Sequence, residues 1–414
     1  MKIIYVYRGI PALTQAIHIE GLMRELRALG HQVEACFPVP QSEAGIPSRS
    51  PLIRVLQWTR KRVPAGAWNL LRLYADARTA RRLRRLVVLS HPAAIYERYV
   101  CLSGACSRVA HDLQVPHVLE VNETARLSAE TWSRRGRAQA YQMEDQVFSF
   151  TSAIVTITEV LREHIISLGV PPEKVTVMHN GVHAADFADS ALRRAETRRR
   201  YQIGDQFAVG YLQSWHTTSG LHGEILQTLL PFAREVLSAL PSAVLVMIGG
   251  GAASEQVREQ VQAAVGVAHI DRLRFAGVIS HREMPAVLAG LDVGVVLHHS
   301  RYYFTSPLKL YEYMAAGAVC IASDLPNHRE MIDDGATGIL YPPGDVHALV
   351  AAIDGLERDP VALRRLADAG RQHVLAEHTW ESNARRVVKI IDGLGASAGA
   401  PRPAGDAAAG LCSP

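Results

Sequence analysis

Short apolar strands alternate with amphipathic helices along this chain, and the alternation runs twice. KIIYVY (2–7) reads as a buried strand. Ile19, Leu22, Met23, Leu26 and Leu29 then recur at helical spacing, Gly30 stops the helix, and QVEACF opens the next strand. AIYER (94–98), HVLEV (117–121), AIVTIT (153–158) and KVTVM (174–178) continue the series. A polar connector, 180–205, interrupts it. A second series follows: FAVGYL (207–212), AVLVMIGG (243–250), RLRFAG (272–277), DVGVVLH (292–298) and AVCIAS (318–323), with helical segments between. Such strand–helix repeats build parallel, doubly wound sheets. The expected architecture is α/β, with Rossmann-like domains over 1–185 and 190–375. A last helix, 380–395, is expected to complete the first domain. Ligands of such sheets bind at the carboxyl ends of the strands, so the cleft between the two domains is the expected site.

Composition narrows the function classes. With 48% hydrophobic and 20% charged residues over 414, the chain suits a soluble globular protein of two or three domains. A net charge of +4 is too slight to imply a nucleic-acid binder. No apolar run reaches membrane-spanning length. MKIIYVY is too short for a signal segment and runs into RGIP. Cys36, Cys101, Cys106, Cys320 and Cys412 show neither metal nor disulfide spacing, so a reducing cytoplasm is the expected location. The Ala-, Gly- and Pro-rich segment from 396 to 414 is expected to be disordered.

SPLKLYEYMAAG (306–317) carries the strongest chemical pattern. Ser306 suits an N-cap, Pro307 the first helical position and Gly317 a C-terminal stop. Lys309 then falls in the first turn, where the helix dipole disfavours a cation, with Glu312 beside it. A nucleoside diphosphate reverses that sign. Helix N–H groups and Lys309 would hold the diphosphate, and Glu312 would accept from vicinal ribose hydroxyls. The competing reading is a surface Lys309–Glu312 pair contributing about 0.2–0.5 kcal/mol.

The segments GLMRELRALGHQVE, VTITEVLREHIISLGVPPEKVTVMHNGV, VMIGGG, RFAGVISHREMPAVLAGLDVGVV and SPLKLYEYMAAGAVCIASDLPNHREMIDDGATGILYPPGD resemble family-4 retaining glycosyltransferases of the GT-B fold. The resemblance spans about 1–395 and is strongest from 150 to 350. It implies a nucleotide-sugar donor on the second domain and an acceptor on the first. By this resemblance Thr305, Ser306, Pro307 and Leu308 meet the donor, Lys309 its diphosphate and Glu312 its ribose. Gly277 and Val278 would meet the base through backbone groups, Glu330 would line the donor pocket, and Gly9 would let backbone approach the ligand closely. Arg98 would contact an anionic acceptor, or else pair with Glu97 or Glu123. The alternative for Glu330 is a charge on a helix surface.

Three positions depart from the family pattern. Phe304 stands where the family commonly has a sugar-facing glutamate. In YLQSWHTTSGLHGE, His216 and His222 replace the usual cationic clamp, and His222 beside an anion would favour protonation. Asn122 stands where a histidine is common; asparagine can orient a hydroxyl but cannot exchange a proton at neutral pH. Glu123 would then serve as base or acceptor anchor, unless Asn122 simply caps the following helix and Glu123 supports its dipole. No metal or cofactor is expected: IDDG (332–335) lacks the spacing of a nucleotide–metal motif, and the histidines form no pair with a third partner.

Residues 54–86 hold ten Arg/Lys among Trp58, Trp68, Leu70, Leu71, Tyr74 and Leu83. Such a segment reads as a membrane-surface contact or as a solvated helical face. The sequence thus predicts a retaining hexosyl or N-acetylhexosaminyl transferase acting on a glycan or lipid-linked acceptor for exopolysaccharide or envelope polymer. Its location would be cytoplasmic, peripheral at the inner face of the membrane, with no nucleic-acid partner. The alternatives are a non-catalytic sugar-nucleotide-binding subunit and a GT-B sugar-nucleotide epimerase.

Overall fold

The computed structural model describes residues 1–7, 13–36, 65–128, 134–215, 221–251, 253–298 and 303–398. Gly9, Trp58, His216, Cys412 and residues 399–414 lie outside the described residues, as do the side chains of Trp68, Leu70, Leu71 and His222.

The first series runs β1 (Lys2–Val6), α1 (Leu13–Ala28), β2 (Gln32–Ala35), α2 (Ala65–Ser90), β3 (Ala94–Arg98), α3 (Ala105–Asp112), β4 (His117–Val121), α4 (Arg134–Phe150), β5 (Ala153–Thr156), α5 (Glu159–Ser167) and β6 (Val175–Val177). The second runs α6 (Ser190–Arg200), β7 (Phe207–Leu212), α7 (Leu221–Ala239), β8 (Ala243–Ile248), α8 (Ser254–Val265), β9 (Leu273–Gly277), α9 (Met284–Ala289), β10 (Val293–Val296), α10 (Leu308–Ala316), β11 (Val319–Ser323), α11 (Pro326–Arg329) and β12 (Ile339–Tyr341). Helices α12 (Val346–Arg358), α13 (Pro360–Glu377) and α14 (Trp380–Ala398) follow.

The strands form two six-stranded sheets, ordered β2-β1-β3-β4-β5-β6 and β12-β11-β10-β7-β8-β9. Every pairing is parallel. Helices cover both faces of each sheet, which is why the strands read as continuous apolar runs. On one face of the first sheet, Ile3, Tyr5 and Tyr96 pack with Leu22 and Met23 of α1 and Val387 of α14. On the other, Ile4, Val6 and Ile95 meet Leu83, Val87 and Val109. The second sheet repeats the scheme, with Tyr211, Leu245 and Val295 on one face and Val244, Val246 and Val296 on the other. These are the two Rossmann-like units of the expected α/β GT-B fold.

The chain crosses between the units twice, and the crossings touch. Val182 N donates to His378 O at 3.0 Å, and Trp380 N donates to Val182 O at 3.0 Å. Helix α14 then packs on α1. Trp380 is buried, its ring 4.6 Å from the His18 ring, and a Cβ on Gly21 would meet it at 2.8 Å. Glycine at 21 is what lets the indole lie against α1.

Three local expectations need correction. Helix α14 runs to Ala398, past the predicted start of disorder at 396. Among the described residues no helix starts directly after Asn122: residues 125–128 form turns, so Asn122 caps none there. Helix α10 is capped by Pro307 rather than Ser306, because Pro307 is still extended at φ −73°, ψ 119°. Gly317 does end it, at φ +83°. Cys36, Cys101, Cys106 and Cys320 form no disulfide among the described residues.

Candidate functional site

The amino end of α10 lies at the carboxyl end of the second sheet. Its leading N–H groups have no acceptor inside the helix, so they leave positive potential there. Lys309 is partly buried at that end and donates to Leu212 O at 3.1 Å and to Gln213 Oε1 at 2.6 Å. Glu312 is 8% exposed. The surface-pair reading therefore fails. Burial lowers the Lys309 pKa to about 8, against Glu312 and Cys320, which pull it up. Burial also raises the Glu312 pKa, opposed by His281 and Lys309, and His281 Nδ1 lies 3.8 Å from its carboxylate. Burial disfavours each charge, and the opposing contacts do not offset it in full.

The loop before α10 is pinned through its carbonyls. Thr158 Oγ1 donates to Phe304 O at 3.1 Å, Asn327 Nδ2 to Thr305 O at 2.6 Å and Asn180 Nδ2 to Ser306 O at 2.6 Å. The Ser306 hydroxyl bonds the Tyr311 hydroxyl at 2.7 Å. Thr158 and Asn180 belong to the first unit, so this loop joins the two halves. Sequence reasoning missed Thr158, Asn180, Asn327 and Tyr311; the Asn-Gly of HNGV was the available signal for Asn180.

A triple glycine forms the adjacent wall. A Cβ on Gly249 would fall 2.0 Å from Gln213 O, and one on Gly251 would fall 1.9 Å from Trp215 O. Bare backbone is required for the β7 and β8 loops to lie side by side. Gly277, at φ +73°, accepts from Gly249 N at 2.9 Å, and Val278 beside it is 77% exposed.

Glu330 reaches across to the first unit. Its carboxylate accepts from Glu159 N at 2.8 Å and Val160 N at 3.3 Å, at the amino end of α5 in the first unit. It staples the units through a helix terminus instead of lying free on a helix surface, and these bonds occupy both carboxylate oxygens. His222 lies in the first turn of α7.

The first unit contributes a network centred on Glu120, wholly buried in β4. The β3–β4 register sets Arg98 opposite Glu120. Arg98 pairs with this carboxylate, not with Glu97 or Glu123. Tyr96 donates its hydroxyl at 2.8 Å, Asn122 its amide at 2.7 Å, and His18 Nε2 lies 3.1 Å away. Burial alone would raise the Glu120 pKa, but His18 and Arg98 hold it far below the usual carboxylate range. Asn122 and Arg98 are thereby brought together at the strand ends. Glu123 stands apart, exposed and bonded to Ser128.

A cavity of about 910 Å³ opens between the units, lined by Ile17, Gly21 and Arg24 of α1 and by His183, Arg193 and His281. His281 connects it to Glu312. The expectation that no histidine pair gains a third partner is corrected: His373, Glu377 and His378 present ligand-type atoms within 4.8 Å of one another. In IDDG, Asp334 instead accepts from Leu340 N at 2.8 Å within a turn.

Helix α2 buries Leu83 and Val87 but leaves Tyr74, Val88 and Leu89 exposed. Arg78, Arg81, Arg82 and Arg85 line a groove with Tyr74 and Leu89. Asp76 is turned inward, accepting from Ala105 N at 3.1 Å at the start of α3. Among the described residues, no helix is long and apolar enough to cross a membrane.

Known families share this arrangement. A family described as "Glycosyl transferase 4-like domain" matches residues 14–181, and "Glycosyl transferases group 1" matches residues 221–359. A glycogen synthase of Mycobacterium tuberculosis is 25% identical over 343 residues, covering 81% of this chain and 77% of that one. A GDP-mannose-dependent alpha-(1-6)-phosphatidylinositol monomannoside mannosyltransferase of the same species is 26% identical over 247 residues, 59% of this chain and 62% of that one. The solved structure of Anabaena HepE in complex with UDP superposes with a TM-score of 0.67 at 14% identity, covering 95% of this chain and 100% of that one. With two Rossmann-like sheets and a glycosyl transferase match on each unit, the chain belongs to the GT-B-fold glycosyltransferases, related to the family-4-like group.

Proposed function

We propose that this protein transfers a hexosyl or N-acetylhexosaminyl group, with retention, from a nucleoside diphosphate sugar to a hydroxyl of a glycan or lipid-linked acceptor. The product would belong to exopolysaccharide or envelope polysaccharide synthesis. The observation that carries the reading is the undercompensated pair, Lys309 and Glu312, at the amino end of α10. A bound diphosphate would take the Lys309 ammonium from Leu212 and Gln213, and a ribose would donate to Glu312. The N–H groups leading α10 and Lys309 would stabilise the charge that develops on the leaving diphosphate, so the reaction itself needs no metal. Attack from the face of the departing phosphate requires no protein nucleophile. That suits Asn122, which can orient a hydroxyl but not carry its proton. Arg98, anchored by Glu120, would face an anionic acceptor. The relatives support the class, since they include a glycogen synthase and a phosphatidylinositol monomannoside mannosyltransferase.

The arginine-lined groove of α2, with Tyr74 and Leu89 exposed beside it, suits peripheral contact with anionic lipid at the cytoplasmic face. Sedimentation with anionic but not neutral vesicles would test that contact. The donor assignment is tested by screening sugar nucleotides for thermal stabilisation of the wild type and of Glu312→Ala. One nucleotide should raise the Tm of the wild type only; if none does, the assignment fails. Transfer or donor hydrolysis by the purified protein would separate an enzyme from a binding subunit.

A further inference from the structure

Three side chains with metal-ligand chemistry meet where the chain returns from the second unit to the first. His373 and Glu377 lie one turn apart at the end of α13, so they share a face. His378 follows directly as the residue that ends the helix. Their ligand-type atoms lie within 4.8 Å of one another. Glu377 is exposed, His373 partly so, and His378 is 5% exposed. His378 Nδ1 is buried with no hydrogen-bond partner among the described residues. A buried ring nitrogen left that way is costly, so its environment calls for an explanation.

The His378 ring centroid lies 5.0 Å from that of His373 and 5.4 Å from that of His179.

We propose that His373, Glu377 and His378 bind a divalent transition-metal cation, zinc foremost, at the crossover between the two units. Two imidazoles and one carboxylate form a zinc-type donor set that leaves a fourth position for water. Magnesium and calcium prefer oxygen ligands throughout. Zinc–nitrogen and zinc–oxygen bonds are about 2.0–2.2 Å, so the side chains close on the ion by rotation, for which the outward-facing His373 and Glu377 have room. Its ligands end α13, and His378 O is already bonded to Val182 N on the other crossing. A cation there ties both crossings to one helix end. The Tyr311 ring, 5.7 Å from that of His378, relays this to Ser306 and the loop before α10.

The test does not depend on catalysis. The full chain is stripped with a chelator and titrated calorimetrically with zinc chloride, beside His373→Ala, Glu377→Ala and His347→Ala. His347 is a surface histidine elsewhere, paired with Glu235. The wild type and His347→Ala should take up a single zinc with a matching rise in Tm, and magnesium should not compete. His373→Ala and Glu377→Ala should weaken binding by about tenfold or more, on the scale that metal sites lose when their shell is disturbed. Both side chains reach the surface, so their variants should match the wild type in Tm without zinc. Absence of binding, or binding that His373→Ala leaves unchanged, overturns the proposal.

Discussion

Two buried carboxylates, one in each unit, are held under opposite conditions. Glu120 is wholly buried but gathers Arg98, His18, Tyr96 and Asn122, and stays ionised far below the usual carboxylate range. Glu312 is nearly as buried, yet burial wins and its pKa rises. One charge is complete without a ligand. The other, with Lys309, is held at a cost that a ligand can recover. A site that gains from binding must leave something unsatisfied beforehand, and here the unsatisfied half is the one beside α10.

Substitution can break this contrast. Glu120→Gln would turn an amide N–H toward the donors of Arg98, Tyr96 and Asn122. Removing one partner of a buried pair typically costs about 3–5 kcal/mol, so this should be the largest loss of stability, read by denaturant unfolding. Glu312→Gln should leave the unfolding free energy of the free protein unchanged or slightly higher, since it removes a charge that burial disfavours. Equal destabilisation by the two would show that the carboxylates are not opposites. For catalysis, Lys309→Met should lower kcat about 10²–10³-fold, the scale for removing one electrostatic stabiliser of a developing anion. Its Tm should be no lower than that of the wild type. A loss of less than tenfold in a turnover assay would remove Lys309 from the leaving-group side.

How far the sequence reaches follows from the same contrast. The two sheets were legible because their strands are buried on both faces and so read as apolar runs. Lys309 and Glu312 were legible because they share one short helix and look wrong on it when it is empty. Glu120 was not, because its partners come from α1, β3 and the end of β4 and meet only through the strand register. An acid inside HVLEV was the available sign: a charge in a doubly covered strand must find partners. The partners of Glu330 were illegible for a similar reason, since the N–H groups of Glu159 and Val160 lie in the other unit. Ser306 lost its predicted capping role to an extended Pro307, a difference of one residue that propensity does not resolve.

The smallest effect is also the most diagnostic of Lys309. Its folded pKa is about 8, below the ordinary lysine value of 10.5. Between those two values the unfolded chain holds the extra proton, so Lys309 makes the free protein more stable as pH rises through that window. Donor binding must run the other way. A diphosphate favours the charged ammonium, so binding takes up a proton once the free protein has lost it. The donor Kd should be flat below about pH 7 and rise about fivefold between pH 8 and 9. Lys309→Arg, whose guanidinium keeps its charge, should flatten that rise while binding more weakly overall, because a planar fork does not replace a compact ammonium. Measured by calorimetric titration across pH, a slope that survives Lys309→Arg would assign the proton to another group.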